Sequence, residues 1–226
     1  LPIYQLNETN LFPPVEHAEE GILAVGGDLS PERLIAAYSS GIFPWFSDGE
    51  PIIWWAPNPR FVLFPNQLKI SKSMKQLLKS NYFTVTFDQR FKEVIQACAL
   101  QNRPGQNGTW ITDEMLSAYL SLFEMGLAHS VEVWKDAKLV GGLYGVSLGK
   151  AFFGESMFFS ESNASKFGFI HLIEFLKKHQ FEFIDCQIET QHLKSLGAEF
   201  ISRVQFMEIL HQTLQQPTLI GNWQEI

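Results

Sequence analysis

Apolar positions recur along the chain with two periods, and each period marks its own elements. Between Ser71 and Ser80, Met74, Leu77 and Leu78, with Ile70 just before them, share one helical face. Lys72, Lys75 and Lys79, at i, i+3 and i+7, share another, which predicts a short amphipathic helix. Ser30 as N-cap, Pro31 at the first helical position and Gly41 as the stop predict an earlier helix. Thr112 caps a third that runs to about Met125, with Asp113 and Glu114 in its favourable first turn and Gly126 closing it. A period of two follows. His129 to Trp134, Leu139 to Leu148 and Ala151 to Phe158 read as an antiparallel meander with turns at Lys135-Asp136-Ala137 and Gly149-Lys150. Asn163 then caps a helix to about His179, with Phe169, Leu172, Ile173 and Leu176 on one face, and Phe181 to Ile188 returns as a strand. Strand, helix, strand in that order predicts a βαβ unit with parallel neighbours.

The fold class expected is therefore α/β, with a mixed sheet. Residues 1–60, rich in Pro and Gly and broken by one helix, read as a small N-terminal domain or an elaborate flap, and residues 61–226 as the main domain. The length of 226 residues, with 46% hydrophobic and 14% aromatic side chains, suffices for a sizeable core and excludes wholesale disorder. Cys98 and Cys186 are far apart and in no CxxC pair, so neither a disulfide framework nor a cysteine zinc site is suggested. With no leader-like start and no apolar run near the ~18 residues of a membrane span, a cytoplasmic protein with no membrane partner is expected.

A net charge of −7 argues against a nucleic-acid partner, but its distribution reverses that impression. Residues 60–103 hold eight cations (Arg60, Lys69, Lys72, Lys75, Lys79, Arg90, Lys92 and Arg103) against Asp88 and Glu93, while residues 1–50 alone carry −7. The lysine stripe reads either as part of one basic patch or as the solvated face of a helix.

In the strand Phe181 to Ile188 the period of two sends Asp185 and Gln187 to one face, roughly 6.5 to 7 Å apart, and Cys186, a small core residue, to the other. A buried acid beside an amide needs a partner, which invites a functional reading; an edge strand with a wet polar face is the alternative. Alternation also puts Glu155 with Phe153 and Met157. If the βαβ unit forms, Glu155, Asp185 and Gln187 converge at one end of the sheet, where α/β proteins place ligands; otherwise Glu155 is a structural acid. Trp45, Trp54, Trp55 and Trp110 in Pro- and Gly-rich contexts suit either a core or a pocket that stacks on a base. The histidines show no HExxH spacing, and there is no Gly-x-x-x-x-Gly-Lys-Ser/Thr or Gly-x-Gly-x-x-Gly loop, so neither a metal nor a nucleotide cofactor is assigned.

Eight blocks, in order, match one family. They are Gly21 to Pro31 (GILAVGGDLSP), Gly41-Ile42-Phe43-Pro44-Trp45-Phe46, Trp54 to Arg60 (WWAPNPR), Gly108-Thr109-Trp110-Ile111-Thr112, Gly154-Glu155-Ser156-Met157-Phe158, Asn163-Ala164-Ser165-Lys166, Ile184-Asp185-Cys186-Gln187 and Ser195-Leu196-Gly197-Ala198. The sequence thereby resembles the bacterial leucyl/phenylalanyl-tRNA–protein transferases from about residue 21 to Phe206. Phe159 departs from the Ser usual there, and the segment after about His211 carries none of these blocks.

The resemblance implies a small N-terminal domain joined to an acetyltransferase-like (GNAT-like) α/β domain. It implies transfer of Leu or Phe, less readily Met, from Leu-tRNA or Phe-tRNA to proteins with N-terminal Arg or Lys, which marks them for the bacterial N-degron pathway. A monomer is expected, and no cofactor, because the tRNA ester carries the activation. By position, Asp185 and Gln187 are the implied catalytic pair, the acid helping to take the proton of the acceptor amine and the amide orienting the reacting groups, and Glu155 holds an amino group of donor or acceptor. The implied side-chain pocket comprises Leu143, Phe152, Met157, Phe169, Leu172 and Ile184. Trp45 and Trp110, with Tyr38 and Tyr119, are implied to hold the tRNA 3′ adenosine, and Lys72, Lys75 and Lys79 then bind acceptor-stem phosphates. Against a CoA-dependent acyltransferase of the same fold, the chain has no Gln/Arg-x-x-Gly-x-Gly/Ala loop for the CoA pyrophosphate; an RNA-binding module without catalysis leaves the three polar residues unexplained.

Overall fold

The computed structural model describes residues 3–101 and 111–226. The first elements are β1 (Tyr4–Leu6), β2 (Ile22–Gly26), α1 (Pro31–Ser39), β3 (Phe43–Pro44) and β4 (Ile53–Trp55). The strands form a small sheet in the order β1-β2-β4-β3, with β1 and β2 parallel. Helix α1 starts at Pro31, whose fixed φ suits the first turn and whose missing N–H leaves nothing unpaired there. The cap differs from expectation. The Ser30 side chain makes no cap bond; its own N–H instead donates to Asp28 Oδ1 at 2.9 Å. Gly41 stops the helix at φ +72°, and a Cβ there would stand 2.8 Å from the Phe206 ring.

The larger sheet begins with β5 (Arg60–Leu63). After it come α2 (Lys72–Leu78), β6 (Thr84–Phe87), α3 (Phe91–Leu100), α4 (Asp113–Glu124), β7 (Ala128–Lys135), β8 (Lys138–Leu148), β9 (Ala151–Phe159), α5 (Ala164–Lys178), β10 (Phe183–Gln187), α6 (Gln191–Ser195), β11 (Glu199–Ile201) and α7 (Arg203–Leu214). Its order is β11-β5-β10-β9-β8-β7-β6, and β7, β8 and β9 form the antiparallel meander read from alternation. Strands β9 and β10 are parallel neighbours joined across α5, the expected βαβ unit. Ser71 and Thr112 cap α2 and α4 by accepting from Met74 N and Met115 N. Asn163 does not cap α5 with its side chain; it takes the left-handed conformation at φ 68°, which Asn tolerates better than most residues.

Alternation buries both faces of the large sheet. Phe152 and Ile184 point into one apolar cluster with Phe169, Leu172 and Ile173 of α5. Phe153 and Phe183 point into the other, which joins α3, α4 and α7 and continues through Leu23, Ala24 and Trp54 of the small sheet. No helix among the described residues is long and apolar enough to cross a membrane.

Candidate active site

Two irregularities, side by side on β9 and β10, build the site. On β9, Tyr144 pairs with Ser156 and Gly145 with Gly154, so Glu155 is an extra, bulged residue. On β10, Asp185 pairs with Val62 and Gln187 with Phe61, so the register slips at Cys186, and Gln187 sits at φ +61°. These bulges correct the alternation reading. Phe153 and Met157 end in opposite clusters, so Glu155 does not share one face with both. Asp185 and Gln187 also part: Asp185 is fully buried, whereas Gln187 lines an apolar cavity of about 650 Å³.

The partner that buried Asp185 requires is Arg60 on β5. Its Nε donates to Oδ1 at 2.9 Å and its Nη2 to Oδ2 at 2.7 Å, a two-pronged ion pair with both groups out of water. The guanidinium lies 4.7 Å from the ring centroids of both Phe43 and Phe206. Gln187 N–H donates to Asp185 Oδ1 at 3.0 Å, so the pair also fixes the turn that carries Gln187. Arg60, counted with the basic segment in the sequence, is only 1% exposed. The clue to its role was Asp185 itself, an acid in an apolar strand that has to find a cation.

Glu155 is held by three donors. Tyr38 O–H donates to Oε1 and Tyr119 O–H to Oε2, each at 2.7 Å, and Gln187 Nε2 donates to Oε1 at 3.2 Å. The two phenol oxygens are themselves 2.5 Å apart. Burial is the main cause that pushes the Glu155 carboxyl up to about 7, with the Asp185 charge adding to it and the three hydrogen bonds opposing. Burial, then the Glu155 charge, holds both phenols well above their ordinary value.

Of the residues named from sequence for the side-chain pocket, Leu143, Phe152, Met157, Phe169 and Ile184 line the cavity. Leu172 lies behind it, fully buried in the cluster under α5. Trp45 lines the cavity, its ring centroid 5.5 Å from that of Trp55. Tyr38 and Tyr119 are fully buried and give their hydroxyls to Glu155. Trp110 lies outside the described residues. Cys186, expected in the core, is half-buried in the cavity wall, and burial pushes its thiol well up. His192, to which no motif in the sequence points, also lines the cavity; burial, then Lys166, pushes it down to about 4. Lys72 and Lys75 are exposed on α2, whose Met74, Leu77 and Leu78 pack inward, and Lys79 is exposed at its C-cap.

A bulged carboxylate and an amide on neighbouring parallel strands of a mixed α/β fold thus share the wall of an apolar cavity. The chain belongs to the leucyl/phenylalanyl-tRNA–protein transferase family. It matches the family described as leucyl/phenylalanyl-tRNA protein transferase over residues 62–211 and that family's N-terminal domain over residues 27–58. It is 58% identical to the leucyl/phenylalanyl-tRNA–protein transferase of Syntrophus aciditrophicus, with 99% of this chain and 94% of that one covered. To the enzyme of the same name from Desulfatibacillum aliphaticivorans it is 57% identical, covering 99% and 96%. Among solved structures, a GCN5-related N-acetyltransferase from Kribbella flavida aligns with 74% of this chain and 60% of its own at 8% identity and a TM-score of 0.38.

Proposed function

We propose that the chain moves Leu or Phe, and less readily Met, from aminoacyl-tRNA to the α-amine of a protein that begins with Arg or Lys, marking that protein for the N-degron pathway. The observation that carries the reading is the apolar cavity with Glu155 and Gln187 at one wall. Burial of a Leu or Phe side chain there contributes about 1.5–3 kcal/mol, and a β-branched side chain fits a shaped slot less well. The amine nitrogen attacks the ester carbonyl carbon; the N–C bond forms, the bond to the ribose oxygen breaks, and the proton lost by the amine ends on that oxygen. An α-amine ordinarily titrates near pH 8, so a useful fraction is already neutral, and positioning with modest base assistance suffices.

Glu155 takes that proton in this reading, because Asp185, the acid that the resemblance implies for it, is buried in its ion pair with Arg60. When Glu155 is ionised, two phenol protons serve three close oxygen–oxygen contacts among Tyr38, Tyr119 and the carboxyl; one more proton fills the third. A proton taken from the amine is thus accommodated and can be returned to the leaving ribose oxygen. Asp185, with Arg60, acts through Gln187: it accepts from the backbone N–H and so fixes the turn from which the side-chain amide donates to Glu155. Trp45 and Trp110 hold the 3′ adenosine, and the α2 lysines meet acceptor-stem phosphates without reading sequence. The acidic N-terminal segment that supplies Trp45 favours a cationic acceptor.

The deciding experiment is transfer of labelled Leu from Leu-tRNA to a peptide with N-terminal Arg, beside a matched peptide with N-terminal Ala. Label on the Arg peptide alone is the expected result; equal labelling, or none by folded protein that binds the tRNA, overturns it.

A further inference from the structure

Beyond α7 the chain continues outside the residue 62–211 family match and is tied down at several points. Gly149 N–H donates to Thr218 Oγ1 at 2.8 Å, Gly221 N–H to Gly126 O at 3.2 Å, and Phe87 N–H to Gln224 Oε1 at 3.1 Å. These bonds deliver Trp223, 2% exposed, into the core on the α5 side of the sheet. Its backbone N–H donates to buried Asp88 at 2.8 Å, and its indole stacks on His129 with centroids 3.7 Å apart. Its centroid lies 4.6 Å from that of Phe175 and 5.8 Å from that of Phe152.

Phe152 is the link to function, because the same ring lines the cavity. On another side it abuts the backbone of Gly145, where an added Cβ would come within 2.6 Å of the ring. The Phe152 ring therefore has the cavity on one side, the Gly145 backbone on another and the Trp223 indole behind it.

We propose that Trp223 is a specificity-determining positioning residue: by backing Phe152 it sets the depth of the cavity and so the preference between Leu and Phe. The inference rests on reading that cavity as the pocket for the transferred side chain. A smaller residue at 223 lets the Phe152 ring retreat and deepens the pocket, which helps the longer Phe more than Leu. Trp223→Leu is expected to raise the kcat/KM ratio of Phe-tRNA to Leu-tRNA by about three- to tenfold, within what a pocket change of about one methylene provides.

The measurement is that ratio, taken well below each variant's Tm, for Trp223→Leu, Trp223→Phe, Gln224→Ala and Phe152→Ala. Trp223→Phe serves if the Leu variant does not fold. Gln224→Ala removes a tail tie without touching Phe152, and is expected to lower Tm and leave the ratio alone. A ratio that moves with Phe152→Ala and with a Trp223 variant, but not with Gln224→Ala, supports the proposal. If Phe152→Ala shifts the ratio and the folded Trp223 variants stay within twofold of wild type, the role of the tail is overturned while the pocket reading stands. If Phe152→Ala also leaves the ratio unchanged, the pocket reading fails and takes this inference with it. A shift of the same size in Gln224→Ala assigns the effect to lost stability and overturns the proposal too.

Discussion

Glu155 sits between two demands: burial favours its neutral form, and the donors around it favour its charge. In the proposed reaction it accepts the amine proton as a carboxylate, so transfer is expected to rise with pH through about 7 as the group ionises. Glu155→Gln should abolish that limb, lower kcat by about 10²–10⁴-fold, and leave the separate rise near pH 8 from the acceptor amine. Rate profiles from pH 5.5 to 9 test this. Stability moves the other way. The folded-state pKa is raised from 4.5 to about 7, so the fold keeps a proton that the unfolded chain releases. The stability due to this group is whole below about pH 4.5 and lost as pH rises through 7, and urea midpoints of Glu155→Gln should lack that slope. At this scale the sequence marked polar residues that the structure brings close together and was silent on their partners. Asp185, Gln187 and Glu155 stood out as polar side chains in apolar strands, whereas Tyr38, 117 positions away from Glu155, carried no mark of its hydrogen bond.

At the scale of elements, capping side chains marked α2 and α4, and Pro31 and the 3.6 period marked α1 and α5, to within a residue or two, because these signals are local. The bulges on β9 and β10 were not legible. Both faces of these strands are buried, so slipping one position trades one apolar neighbour for another and leaves no trace in the pattern. The small sheet was likewise visible only as a Pro- and Gly-rich region, since β3 has just two residues, Phe43 and Pro44. The Arg60–Asp185 pair ties β5 to β10 at the second bulge. Asp185→Ala leaves a buried guanidinium without its anion, and denaturant unfolding should show a loss of about 3–5 kcal/mol. Replacing both, with Arg60→Met and Asp185→Leu, should restore much of that loss and still leave transfer slow, because Gln187 is no longer held. Full transfer in the folded double variant would remove the pair from the mechanism.

Charge is segregated along the sequence, but not every cation of residues 60–103 belongs to the surface: Arg60 is inside, in the ion pair. Lys75→Glu with Lys79→Glu should weaken binding of Leu-tRNA and Phe-tRNA alike. It should reduce the slope of log K against log salt by about one per lost phosphate contact, and an unchanged slope would place the tRNA elsewhere. The hydrogen-bond cluster at Glu155 has one further consequence. Tyr38 comes from α1, Tyr119 from α4, Glu155 from β9 and Gln187 from β10, so the cluster closes only when residues from 38 to 187 have left the ribosome and the small sheet has docked. In the proposed mechanism a nascent or partly opened chain, though it carries Leu143 and Phe152, would not complete the exchange, so that an unfinished copy would not squander charged tRNA.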